Sequence, residues 1–96
     1  MRLSPLEQTT IRDASLRHFG VLPRLFGSRT DDSKRGGDID LYIEAKLDAP
    51  QAFDKQLKMV ADIWRTLGER KIDVVVNTGR QDLPIYQVAQ TQGVWL

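Results

Sequence analysis

The chain contains no cysteine and a single histidine among its 96 residues. Disulfides, cysteine-ligated zinc and thiol catalysis are thereby excluded, and a reducing cytoplasm is compatible with the composition. Long hydrophobic runs are also missing. No apolar stretch exceeds three residues, too short for a transmembrane helix or the core of a signal peptide. Neither sign of charge dominates: fourteen Lys and Arg stand against thirteen Asp and Glu, a net +1. Proteins that hold nucleic acid through its phosphates usually carry a clear basic surplus, so direct nucleic-acid binding is not expected. There is no internal repeat and no low-complexity tract. What remains, 41% hydrophobic and 28% charged residues, is ordinary globular composition, and the length suits one domain over residues 1–96.

Within that domain, helix and strand patterns alternate. Ser4-Pro5-Leu6-Glu7 reads as a helix start, with Ser4 as cap, Pro5 in the first turn and Glu7 completing a capping box. This helix runs to His18 or Phe19 and ends at Gly20, with an irregular apolar stripe of Leu6, Ile11, Ala14 and Leu16. Leu22 to Phe26 reads as a first strand, Pro23 belonging near its start or at an edge. Residues 29–37 are polar or glycine and predict a loop with room for one helical turn. Asp38 to Glu44 alternates, placing Ile39, Leu41 and Ile43 on a buried face and Asp38, Asp40, Tyr42 and Glu44 on the other. Asp48 and Pro50 open a second helix to Leu67, closed by Gly68. Phe53, Leu57, Val60, Trp64 and Leu67 recur at steps of four and three and predict its core stripe. Lys71 to Asn77 is a third strand. Asp82 and Pro84 start a last helix of about ten residues, closed by Gly93, and Val94-Trp95-Leu96 is an apolar end. The expected fold is α/β (α+β): a small, mixed, three- to four-stranded sheet covered by helices, its first two strands antiparallel because their connection is too short for a crossover.

Three features carry chemistry. In Asp38-Ile39-Asp40, positions i and i+2 of a strand put two carboxylates on one face. Their repulsion is relieved by a cation, and oxygen-preferring Mg²⁺ or Mn²⁺ is the natural partner. Gly27-Ser28 follows an apolar strand, where a glycine lets phosphate oxygens approach the backbone and a serine adds a hydroxyl. Asp73 stands among β-branched residues and must face solvent, a cation or a ligand. If the second and third strands are neighbours, Asp73 lies beside Asp38 and Asp40. Taken singly, such features are more often an ordinary turn or a solvated strand face than a site.

In this order and spacing, Phe26-Gly27-Ser28-Arg29, Gly37-Asp38-Ile39-Asp40-Leu41 and the Asp73 strand resemble the nucleotidyltransferase superfamily that includes DNA polymerase beta. The size, and the ending Ile85-Tyr86-Gln87-Val88 with Gly93-Val94-Trp95-Leu96, resemble the minimal nucleotidyltransferase (MNT) family over essentially the whole chain. The resemblance implies the nucleotidyltransferase fold, with Gly27 and Ser28 holding the triphosphate of ATP. It implies that Asp38 and Asp40 coordinate two Mg²⁺ ions, with Asp73 completing the second metal site and helping to deprotonate the acceptor. Arg29 stands where a cation could meet phosphate, or is a solvated loop arginine. The family often has a serine just before the first aspartate; here Gly36-Gly37 precedes Asp38. Many members pair with a HEPN-domain ribonuclease toxin, which the MNT antitoxin inactivates by transferring AMP to a tyrosine. The implied activity is thus a cytoplasmic, Mg-dependent protein adenylyltransferase. The alternative is a non-catalytic nucleotide-binding antitoxin that neutralises its partner by direct binding.

Among the other residues, His18 reads as a partner of the helix C-terminal dipole. Lys34-Arg35 could touch phosphate or solvent. Trp95 and Leu96 either pack back on the sheet or meet a partner.

Overall fold

The computed structural model describes residues 3–30 and 38–96. Ser4 Oγ accepts from the Glu7 amide at 3.1 Å and Glu7 Oε1 accepts from the Ser4 amide at 2.9 Å, closing the expected capping box at the start of α1 (Pro5–Phe19). The helix buries Ile11, Ala14 and Ser15, whereas Leu6 and Leu16 of the expected stripe are exposed. Ile11, Ala14 and Ser15 are three and four residues apart and share a face, while Leu6 and Leu16 project off it. Buried Ser15 is satisfied by donating to the Val21 carbonyl at 2.7 Å.

The first strand, β1 (Arg24–Phe26), is shorter than expected, because Pro23 has no amide to give a ladder; its carbonyl instead accepts from Leu96 N at 3.1 Å. A turn of 3-10 helix, Gly27–Thr30, follows. The rest of the expected loop, with Lys34-Arg35 and Gly36-Gly37, lies outside the described residues. Next come β2 (Ile39–Glu44), α2 (Ala49–Leu67), β3 (Ile72–Asn77), α3 (Pro84–Gln92) and β4 (Val94–Trp95). Asp48 caps α2 by accepting from Gln51 N at 2.8 Å. At α3 the residue before the helix is Leu83 rather than Asp82, and the helix start has no side-chain cap hydrogen bond.

The sheet order is β3-β2-β1-β4. As expected, it is mixed: β1 runs antiparallel to β2 and β4, and β2 runs parallel to β3, with α2 as the crossover. The four strands and their helices are consistent with a nucleotidyltransferase-like α/β fold. The apolar C-terminus is therefore partly a strand: Leu96 packs on the core, while Trp95 stays exposed with the Arg24 guanidinium 4.1 Å over its ring.

Two further expectations about burial are corrected. First, β2 is buried on both faces at its centre. Ile39, Leu41 and Ile43 pack with Ile11, Met59 and Ile63 under α1 and α2. Tyr42, expected on the open face, is buried with Phe26, Tyr86 and Ala89 under α3. Its hydroxyl oxygen accepts from Asn77 Nδ2 at 3.0 Å and Gln90 Nε2 at 2.9 Å, so the polar end is satisfied. Second, the inward residues of α2 are Ala52, Met59 and Ile63, while Phe53, Leu57 and Trp64 are 60%, 54% and 37% exposed. The stripe read from spacing is rotated from the true one. α1 lies against one flank of α2, held by Arg17 and His18 on Asp62, and this turns Met59 and Ile63 inward. Val60 and Leu67 are shared by both stripes and remain partly buried. His18 accordingly meets a carboxylate of the neighbouring helix. That hydrogen bond, followed by the one from Arg17, holds Asp62 below the usual carboxylate range.

Candidate functional site

The parallel register of β2 and β3 sets Asp40 directly opposite Asp73 and Ile39 opposite Ile72. On its other side Asp40 is opposite Phe26 of β1. Alternation puts Phe26, Asp40, Tyr42, Asp73 and Val75 on the sheet face that α3 covers. α3 packs on Tyr42 and Phe26, and the carboxylates stand at the end of the sheet near the start of β2: Asp73 exposed, Asp38 and Asp40 half-buried.

The turn after β1 closes onto this cluster. Gly27 has φ +78°, the left-handed region where a side chain is strained. A Cβ at Gly27 would also collide with the Asp40 carboxylate. The backbone of the Gly-Ser turn and the Asp40 side chain are thus in direct contact. Thr30 Oγ1 donates to the Gly27 carbonyl at 2.7 Å and braces the turn, with Ser28 at its second position.

Burial raises the Asp40 pKa, and the negative charges of Asp73 and Asp38 raise it further; a hydrogen bond to Asp73 also favours the protonated form. Lys71, just before β3, approaches Asp38 with Nζ 3.4 Å from Oδ2, and Asp38 in turn raises the Lys71 pKa. The sequence-predicted residues Gly27, Asp40 and Asp73 therefore converge, with Asp38 at the rim tied to a lysine. The Arg29 guanidinium is 3.9 Å from Glu7 Oε2, the oxygen that also accepts from Arg70 at 2.8 Å.

Glu7 and Lys71 are the residues of this region that the sequence reading missed. Glu7 was legible as a capping residue, but its second carboxylate oxygen joins α1, the Gly-Ser turn and the segment before β3. Lys71, two residues before Asp73 and beside the first residue of β2, was legible only as a strand end.

A divalent, oxygen-preferring cation suits the donor set, since every candidate atom is a carboxylate oxygen and the ionised state of Asp40 is disfavoured by its anionic neighbours. Asp40 and Asp73 are the residues that would hold such an ion, with Asp38 beside them. Among the described residues, no three His, Cys, Asp or Glu side chains are gathered so that they could hold one ion together. The arrangement can bind a cation, accept a proton from a hydroxyl at Asp73, and bring a backbone turn against an anionic ligand bridged by that cation. No helix of the described residues is long and apolar enough to cross a membrane. No protein-family model matches the chain, and no curated protein matches it significantly.

Proposed function

We propose that this chain is a minimal nucleotidyltransferase that moves AMP from ATP to a hydroxyl, a tyrosine of a HEPN ribonuclease toxin, in the cytoplasm. The observation that carries the reading is the in-register pairing of Asp40 and Asp73 beside a glycine turn that contacts Asp40. In the transfer, the acceptor oxygen bonds to the α-phosphorus, the bond to the β-phosphate oxygen breaks, and pyrophosphate leaves. Bound Mg²⁺, two ions in the full reading, would neutralise charge on the phosphates and on the leaving oxygen. Asp38 and Asp40 orient the triphosphate end, the Gly27-Ser28 turn allows its close approach, and Asp73, the most open carboxylate, takes the acceptor proton.

A second reading has its own support. Lys71 Nζ lies 3.4 Å from Asp38 and ties up one of the carboxylates, which suits a nucleotide-binding antitoxin that neutralises its partner by occlusion. Incubating the protein with Mg²⁺, ATP and the product of the neighbouring gene, then weighing both proteins by mass spectrometry, separates the two. Transfer predicts one or more AMP additions to the partner, reduced at least ~10²-fold in Asp73→Asn with complex formation retained. A stable complex with no added mass, and full neutralisation by Asp73→Asn in cells, rejects transfer in favour of occlusion.

A further inference from the structure

A capping box needs one acceptor oxygen at its third helical position, and glutamine serves there as well as glutamate. At Glu7 that oxygen is Oε1, which accepts from Ser4 N at 2.9 Å. Oε2 is not needed by the cap and takes two guanidiniums instead: Arg70 Nη1 donates to it at 2.8 Å, and Arg29 Nη1 is 3.9 Å away. The Glu7 and Arg29 side chains are each 16% exposed and Arg70 is 31% exposed, so water screens these pairs less than an open surface pair. Two cations crowding one oxygen repel each other, and the carboxylate between them is what keeps them together. Glutamate rather than glutamine is therefore required by the two arginines and not by the cap.

The arginines come from the two segments that flank the carboxylate cluster. Arg29 is in the turn Gly27–Thr30. The first residue of that turn follows Phe26, the β1 partner of Asp40, and Gly27 itself lies against the Asp40 carboxylate. Arg70 stands just ahead of β3 and three residues before Asp73. Its neighbour Lys71 accepts from Ile39 N at 3.2 Å through its carbonyl and meets Asp38 through its ammonium. Both arginines are thus at the end of the sheet where β2 and β3 begin.

The segments are braced in different ways. Arg70 is fixed from α2: its carbonyl accepts from Trp64 Nε1 at 2.8 Å, and its guanidinium also donates to the Leu67 carbonyl. Glu7 is fixed in the first turn of α1 by the capping box. The turn after β1 is braced within itself, by Thr30 Oγ1 on the Gly27 carbonyl at 2.7 Å, a bond that reaches neither helix. Glu7 Oε2 adds a tie from this turn to α1 and, through Arg70, to the start of β3.

We infer that Glu7 is a positioning residue: its Oε2 holds the Gly27–Ser28 turn at a set distance from the segment that carries Asp73. In the transfer reading the turn admits the triphosphate and Asp73 takes the acceptor proton, so this distance aligns the α-phosphorus with the acceptor oxygen. That consequence for chemistry rests on the transfer reading; the placement of the turn does not. A misplacement of about 1 Å costs on the order of 10²-fold in rate. ATP affinity is expected to hold, because removing the Glu7 charge leaves the two arginines more attractive to an anion.

The test uses the full chain with Glu7→Gln, Arg70→Gln and the double variant. Glu7→Gln keeps an oxygen for the Ser4 amide and puts an N–H donor in front of the arginines. All are compared at a temperature where circular dichroism shows them fully folded. Hydrogen exchange of the amides of residues 28–30 is expected to be at least ~10-fold faster in each single variant, the equivalent of one charge-assisted hydrogen bond, and no faster in the double variant. In transfer with Mg²⁺, ATP and the product of the neighbouring gene, Glu7→Gln is expected to lower kcat about 10²-fold, with the KM for ATP unchanged or lowered. Turn amides that exchange in Glu7→Gln as in the unaltered protein overturn the inference, as do effects of the single variants that add in the double variant. A loosened turn with unaltered kcat overturns it as well. If the unaltered protein transfers no AMP, it is the transfer reading that fails, and the exchange rates alone decide whether Glu7 places the turn.

Discussion

Asp40 shows how a single side chain can be held at a cost. It is partly desolvated and faces two other carboxylates, so its charged form is disfavoured in the folded protein. A raised folded-state pKa means that the native state binds more protons than the unfolded chain. The penalty is therefore present at neutral pH and disappears as the pH falls below the ordinary carboxylate value of about 4. Asp40→Asn is expected to raise the melting temperature at pH 7, with the gain shrinking to nothing near pH 3. Thermal melts of both proteins over that range check this, and a pH-independent difference would show that the charge is already neutralised. Alternation and residue type made Asp38, Asp40 and Asp73 legible as candidates. Which two pair most closely was not legible, because it depends on the β2–β3 register. That register is decided by packing Ile39, Leu41 and Ile43 beside Val74 and its neighbours under the helices.

At the scale of the element, α2 carries the clearest lesson. A four-three apolar spacing is evidence for a helix, and the helix is there. Spacing alone does not say which part of a wide apolar arc faces in. The α1 contact at Asp62 settles the rotation, leaving Trp64 at the edge with its indole donating to Arg70 O. Trp64 therefore works as a clamp on the segment joining α2 to β3, where Arg70 also reaches back to Leu67 O and Glu7. Trp64→Phe keeps most of the ring contact and removes the hydrogen bond, with an expected loss of about 1 kcal/mol. Trp64→Ala is expected to cost about 2 kcal/mol, below the about 3–5 kcal/mol of a fully buried aromatic. Urea denaturation of both variants measures these differences, and a loss at the buried-aromatic level in the alanine variant would place the indole in the core.

Across the whole molecule, the chain closes on itself at its end. β4 pairs with β1, Leu96 N donates to Pro23 O, and Trp95 stacks on the Arg24 guanidinium, which also meets Glu44 at 3.3 Å. Removing residues 94–96 would uncover the β1 edge and part of the core under Leu96. The expected loss is about 1–3 kcal/mol, a substantial share of the stability of a domain of this size, and the melting temperature of the truncated chain reads it. No loss would mean that the terminal strand only rests on the sheet.

The amino-acid sequence by itself determined the order of the three helices and the first three strands, the capping box at Ser4 and Glu7, the mixed sheet and the candidate aspartates. These follow from local periodicity, turn chemistry and connection length, which are properties of neighbouring residues. Only the tertiary structure decided the rotation of α2, the burial of Tyr42 on the face expected to be open, the pairing of Lys71 with Asp38, and the use of Glu7 to join three segments. Each of these brings together groups far apart in the chain, and whether a side chain is buried, paired or left open depends on which surfaces meet, a choice that local pattern does not encode.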